Sequence, residues 1–199
     1  MNPWNERYSS ASYYYGTEPN DFLREQAHVI PQGGKVLCLG EGEGRNAVFL
    51  AGRGYDVVAL DQSPVGLEKA QRLAIAKSVR IQTLVANLDG YRFDAGRWDG
   101  IVSIWCHLPS AMRSAIHRQI IVGLQPGGVF LLEAYTPGQI RHGTGGPKDV
   151  DLLPSLTELR RDLDGLELLL GQEHERMVLE GAGHTGLSAV VQIVARRPA

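Results

Sequence analysis

Cysteine is scarce in this chain. There are two in 199 residues, Cys38 and Cys106, each inside an apolar run and not in a paired spacing. That excludes a disulfide framework and a cysteine metal site, and it suits buried thiols in a reducing compartment. Long hydrophobic runs are also missing. No stretch approaches the roughly 20 apolar residues of a membrane-spanning helix, and the opening MNPWNERYSSASYYYG lacks the basic-then-apolar order of a secretory leader. The expected location is the cytoplasm, with no membrane partner. Nor does charge of one sign dominate. The chain has 20 Lys and Arg against 22 Asp and Glu, a net charge of −2, which gives no broad footprint for nucleic acid. Internal repeats and low-complexity tracts are absent too.

What remains is an ordinary globular composition, 43% hydrophobic and 21% charged, suited to a single domain over residues 1–199. A helix is expected over about Pro19–Ile30, ended by Pro31, Gly33 and Gly34. Lys35–Leu39 (KVLCL) reads as a strand buried on both faces. Arg45–Arg53 follows as a helix closed by Gly54, then Asp56–Leu60 as a second strand. Ser63-Pro64 places an N-cap before a proline at the first helical position and opens a helix to about Lys77. Val79–Ala86 and Gly100–Trp105 are further strands. Pro109–Leu124 is a helix with Met112, Ile116, Ile120 and Leu124 on one face.

Pro126-Gly127-Gly128 turns into the strand Val129–Ala134. After a glycine-rich loop over 136–150 come a helix, Pro154–Leu163, and two strand-like runs, Leu166–Leu179 and Leu187–Arg196. Gly181, Gly183 and Gly186 separate these runs, which should pair as an antiparallel hairpin. The pattern predicts the α/β class: a doubly wound, mostly parallel seven-stranded sheet with helices on both faces and a C-terminal antiparallel hairpin.

The strongest chemical signal is VLCLGEGEGRNAVFLA, residues 36–51. Gly40, Gly42 and Gly44 sit where a buried strand turns into a helix, and without Cβ atoms they let the backbone approach a ligand. Asp61 ends the second strand, 17 residues after Gly44. There a carboxylate accepts both hydroxyls of a ribose. The competing role is a turn cap, but Ser63 already supplies one, which leaves Asp61 free. Dinucleotide sites use GxGxxG, and Gly42, Gly44 and Ala47 fit a variant of it two residues late relative to the strand end. Read from Gly40 the pattern is GxGxG.

These motifs, with WNERY (4–8), YGTEPNDFL (15–23), ALDQSPVGLEKA (59–70) and LQPGGVFLLEAYTP (124–137), resemble the class I S-adenosylmethionine (SAM)-dependent methyltransferases. Within them the chain resembles in particular the small bacterial tellurite-resistance and thiopurine methyltransferase-like group. The resemblance covers nearly the whole chain and implies the Rossmann-like methyltransferase fold with SAM as cofactor. It implies Gly40, Gly42 and Gly44 along the cofactor, Asp61 on its ribose, and Gln62 beside the adenine with Asn87 and Leu88. Trp105, Cys106 and His107 would face the methionine part, with Arg7 and Tyr15 reaching its carboxylate. The group carries an acid two positions before the first glycine. Here that position is Cys38, and Glu41 or Glu43 would take over its contacts.

The implied activity is methyl transfer to a small-molecule acceptor, a thiol or other chalcogen nucleophile among them, with no metal. His107, at the carboxyl end of a strand, is the candidate catalytic residue, although bonding to backbone near the next helix would account for it equally well. His142 and Tyr135 are further acceptor-side candidates, as are Tyr13 and Tyr14, which could equally be packing. His184 is expected to face solvent in its turn unless the hairpin folds over the cleft. The N-terminal lid-like segment spans 1–18, and Met1–Gly16 with the loop 136–150 is expected to be mobile until ligand binds. The alternatives are a SAM-binding module without transferase activity and a nicotinamide-dependent oxidoreductase. As partners the sequence leaves a small-molecule substrate and a monomer or homodimer.

Overall fold

The computed structural model describes residues 2–199; Met1, the start of the expected lid, lies outside them. Seven strands form one sheet in the order β3-β2-β1-β4-β5-β7-β6. They are β1 (Lys35–Leu39), β2 (Asp56–Asp61), β3 (Gln82–Val85), β4 (Trp98–Ile104), β5 (Leu124–Tyr135), β6 (Glu167–Glu180) and β7 (His184–Arg196). The first five run parallel, and β7 lies antiparallel between β5 and β6. The helices are α1 (Pro3–Arg7), α2 (Asp21–Gln26), α3 (Arg45–Gly52), α4 (Pro64–Ala76), α5 (Ser110–Gly123) and α6 (Leu156–Asp162). Among the described residues no helix is long and apolar enough to cross a membrane.

β1 shows why its sequence does not alternate. Side chains of a strand point to opposite faces in turn, so Val36 and Cys38 enter the core beneath α2, α3 and α4. Leu37 and Leu39 enter the second core, with Ile116 and Ile120 of α5 and Leu159 of α6. Both faces are covered, and every position must be apolar.

Several boundaries move for local reasons. β3 shrinks to four residues because it is an edge strand, paired only with β2 and exposed. Pro126-Gly128 does not precede β5 but bulges within it: Trp98 pairs with Leu124 and Gly100 with Val129, so the intervening residues loop out. α6 starts late because Ser155 and Glu158 form a capping box. Gly186, expected in the hairpin turn, lies inside β7. Within 136–150, a 3-10 turn forms over Pro137–Arg141, and Gly145 bridges to His184.

Candidate active site

The strand order reverses between β1 and β4, where open α/β sheets bind their ligands beyond the carboxyl ends of the strands. A cleft of about 670 Å³ opens there, within the range of small-molecule sites. Gly40, Glu41, Asp61, Gln62, Asn87 and Leu88 line one half. Cys106 and His107 line it beyond them, and Arg7 and Tyr15 close it from the N-terminal segment. Of the cofactor residues expected from the sequence, Gly42 and Gly44 are not at the wall; they shape the loop from behind.

All three loop glycines take positive φ: 59°, 59° and 91°. A Cβ on Gly40 would lie 2.8 Å from Cys106 Sγ, and one on Gly44 would lie 2.4 Å from Ala70 Cβ. Both positions therefore require glycine, for the turn and for the approach of α3 to α4. Gly44 is the N-cap of α3 but has no side chain to cap with. Glu41 supplies the cap, its Oε1 accepting from the backbone N–H groups of Asn46 (3.0 Å) and Ala47 (2.8 Å). Desolvation nevertheless pushes this carboxyl up to about 7, against those two bonds. A pyrophosphate would need this helix N-terminus open, and a protein carboxylate already occupies it.

Asp61 is not left free by Ser63, contrary to the expectation. Ser63 does cap α4 by accepting from Gly66 N–H. Asp61 also works as a brace, with Oδ2 accepting from Gly42 N–H and Oδ1 from Ser63 N–H, both at 2.8 Å. A carboxylate offers about four acceptor positions, so each oxygen keeps one for a ligand in the cleft. Burial raises its pKa, opposed by these backbone bonds. This half of the cleft thus offers a buried acid with acceptor positions to spare, Gly40 at its floor and a helix end already closed, which fits an adenosine-type ligand without phosphate.

The N-terminal segment lies docked against α4 and the glycine loop. Lys69 of α4, buried, donates to the carbonyls of Ser10 (3.0 Å) and Ser12 (2.6 Å) and pairs with Glu43. Glu43 Oε2 in turn accepts from the N–H groups of Tyr14 (2.8 Å) and Tyr15 (3.3 Å). Glu43 is thereby bonded to the strap while it also lines the cleft, and Cys38 is fully buried in the core. Tyr13 is packing, its hydroxyl donating to the Lys69 carbonyl. Arg7 stacks against Trp4 and Tyr14 and donates to the Tyr15 hydroxyl at 2.9 Å.

The other half of the cleft is aromatic. Trp105 stacks on Tyr135 with centroids 4.3 Å apart, and His184 lies 5.1 Å from Trp105 and 4.7 Å from Tyr15. The hairpin does fold over the cleft, so His184 is buried and not in solvent. Its Nδ1 meets the Tyr135 hydroxyl at 2.8 Å, and burial pushes its pKa down to about 3, helped by the nearby His107, Arg45 and Arg7. His107 Nε2 accepts from Tyr135 N–H at 3.1 Å, and burial takes this ring down to about 4. His107 is therefore a neutral ring bonded to backbone, with its lone pair in use. Burial also pushes the Cys106 thiol up to about 12. His142 lies outside the cleft, paired with Glu175 at 2.9 Å.

Sequence reading missed Tyr8, Arg45 and Glu180. Arg45 left a signal: a cation in the first turn of a helix opposes the macrodipole, so its presence there asks for an acidic partner. That partner is Glu180. Tyr8, which packs over Gly42 and Gly66, and Glu180 gave none.

Residues 36–128 match the family model described as a methyltransferase domain. A 2-heptyl-1-hydroxyquinolin-4(1H)-one methyltransferase of Mycobacteroides abscessus is 27% identical over 137 residues, covering 66% of this chain and 60% of its own. An uncharacterized methyltransferase of Synechocystis is 36% identical over 110 residues, covering 52% and 48%. The chain thus spans about half to three-fifths of the length of these curated relatives. In fold it is similar to TehB from Haemophilus influenzae, with a TM-score of 0.73 at 20% identity over 98% of this chain and 65% of that one. It is also similar to a chain solved in work on the conversion of a disulfide bond into a thioacetal group during echinomycin biosynthesis, with a TM-score of 0.75 at 21% identity over 98% and 91%. The domain match over residues 36–128 and the sheet with its closing hairpin agree: the chain is similar in sequence to methyltransferase domains and has the fold of the SAM-dependent methyltransferases.

Proposed function

We propose that this chain transfers the methyl group of SAM to a small-molecule acceptor whose nucleophile is already formed, a thiol or another chalcogen anion in particular. The observation that carries the reading is the division of the cleft: a braced glycine loop with Asp61 on one side, and on the other an aromatic wall whose histidines are both neutral and bonded. When bound, SAM supplies a methyl group activated by its sulfonium, which asks for an aligned nucleophile and the exclusion of water. Asp61 would hold the ribose, with Gln62, Asn87 and Leu88 around the adenine. Arg7 with Tyr15 would meet the carboxylate, and Gly40, Glu41 and Cys106 would border the amino-acid part. His107 serves as a neutral wall of the acceptor pocket; its tied lone pair and low pKa do not suit a general base. The docked N-terminal strap would keep water out. The protein acts in the cytoplasm, as a monomer or homodimer, without nucleic acid.

The name of the M. abscessus relative carries a flat ring with an acidic N-hydroxyl, a chemistry that the aromatic wall here also suits. The test has two parts. Calorimetry with SAM, S-adenosylhomocysteine and NAD should give binding of the first two and none of the third. Turnover should be found with thiophenol, selenide, tellurite or a 1-hydroxyquinolin-4-one. Binding without turnover on any of them would support a SAM-binding module instead.

A further inference from the structure

Trp105 and Ser78 are the non-glycine residues, among those described, with positive φ (56° at Trp105). For a bulky side chain this conformation is strained and persists only where the surroundings over-determine it. Trp105 directly follows β4 and lines the acceptor half of the cleft. Its indole face stacks on Tyr135 and His184, and its Nε1–H donates to Glu180 Oε2 at 2.6 Å. Glu180 ends β6, is buried and does not line the cleft. The same Oε2 takes the guanidinium of Arg45, the first residue of α3 after the glycine loop. Its Oε1 accepts from Asn20 Nδ2 at 2.8 Å and Arg176 Nη2 at 3.4 Å.

From this geometry we infer that Glu180 is a positioning residue: it fixes the Trp105 indole as the platform for a flat aromatic acceptor and ties that platform to the glycine-loop helix. The inference rests on the methyl-transfer reading for the acceptor's identity as a substrate, but not for the link between Glu180 and Trp105. Glu180 never touches the acceptor. It holds the indole edge, while stacking holds the face, so a ring laid on Trp105 meets a plane that cannot rotate. The same carboxylate also meets Arg45 at the start of α3.

The test uses Glu180→Gln, Trp105→Phe and the double variant. Indole N–H resonances of 15N-tryptophan-labelled protein report the link without any ligand; the Trp105 signal, identified by its loss in Trp105→Phe, should move in Glu180→Gln. Thiophenol titrated calorimetrically into the S-adenosylhomocysteine complex then reports the platform. Glu180→Gln should weaken thiophenol about tenfold, the scale of one hydrogen bond to a charged group, and leave S-adenosylhomocysteine within about twofold. In turnover the loss should fall on the acceptor KM more than on kcat. In the Trp105→Phe background, Glu180→Gln should add nothing. An unmoved Trp105 resonance, or equal losses in both backgrounds, overturns the positioning role. Wild-type complex that binds S-adenosylhomocysteine but not thiophenol overturns the aromatic platform, whereas failure to bind S-adenosylhomocysteine sinks the methyl-transfer reading alone. Should Glu180→Gln not fold, Trp105→Phe removes the same bond and leaves every ion pair of Glu180 intact; thiophenol affinity unchanged in that variant also refutes the proposal.

Discussion

Replacing Asp61 by asparagine keeps the size of the side chain and removes one acceptor oxygen. Two backbone donors depend on those oxygens, Gly42 N–H on Oδ2 and Ser63 N–H on Oδ1, each at 2.8 Å. An amide satisfies one and turns its own N–H₂ toward the other, so one buried donor loses its partner. Such a group costs about 1–3 kcal/mol, and at about 2–4 °C per kcal/mol for a chain of this size the melting temperature should fall by roughly 2–12 °C. Cofactor binding loses separately. The acceptor positions left for the ribose are charge-assisted in the wild type, and their loss is worth about 1.5–3 kcal/mol, or roughly tenfold to a hundredfold in Kd. Thermal unfolding of the free protein measures the first effect, and calorimetry with S-adenosylhomocysteine well below the lowered melting temperature measures the second. An unchanged melting temperature would mean that Asp61 does not brace the loop. Unchanged affinity in a folded Asp61→Asn protein would refute its place on the ribose.

Glu41 makes stability depend on pH. Its folded pKa of about 7 lies above the ordinary 4.5, so between these values the folded state holds more protons than the unfolded one. Stability contributed by this group is full below pH 4.5 and is lost as pH rises through 7, by up to about 3 kcal/mol; in Glu41→Gln this component of the melting-temperature profile should vanish. Cofactor affinity should run the opposite way, rising through pH 7 as the ionised carboxylate meets a cationic ligand, with proton release visible as a buffer-dependent heat. Lys69→Met leaves Glu43 buried without its partner, a loss on the order of 3–5 kcal/mol. In the wild type without ligand, the Tyr14 and Tyr15 amides should be protected from hydrogen exchange, and in Lys69→Met they should exchange fast; fast exchange in both would leave the segment an ordinary tail.

Where the chain's own periodicity or caps decide an element, the sequence is legible. Lys35–Leu39, the Ser63-Pro64 start of α4 and the hairpin pairing all follow from local pattern, and β1 was placed to the residue. β3 was overextended because nothing in Val79–Ala86 says that the strand lies at a sheet edge, which is a property of the topology. The glycine turn after β1 and the acid ending β2 are legible as local features, and the structure brings Gly40 and Asp61 to one cleft. Their geometry is not: Asp61 reaches Gly42 N–H from the end of the neighbouring strand, and Glu41 meets Asn46 and Ala47 only because the glycine turn folds it back onto the helix end. For His184 the alternative holds, the hairpin folding over the cleft, and no local pattern decides between the two. A histidine beside Gly183 reads as exposed, and only the long β6–β7 hairpin, reaching back over the cleft, buries it.

The two missing features of the sequence, an acid at Cys38 and a free base on the acceptor side, have a common physical consequence. Position 38 points into the core beneath α3, where a carboxylate would need a partner of its own. The chain instead places its acids one turn outward: Glu41 on the helix end, Glu43 on the strap and Asp61 on the loop. Each of these is bonded to backbone N–H groups and so is fixed before a ligand arrives. Preorganised negative charge of this kind suits a cationic cofactor and costs little reorganisation on binding. On the acceptor side the arrangement is the reverse. His107 and His184 are desolvated to pKa values near 4 and 3, so neither carries charge at neutral pH. Arg7 is held by Tyr15 and Arg45 is paired with Glu180, so the aromatic wall itself carries no free charge. On the proposed methyl-transfer reading, the fixed acids thus face the sulfonium cofactor and the uncharged aromatic wall faces the acceptor, an arrangement that supplies no base and suits a nucleophile formed before it binds.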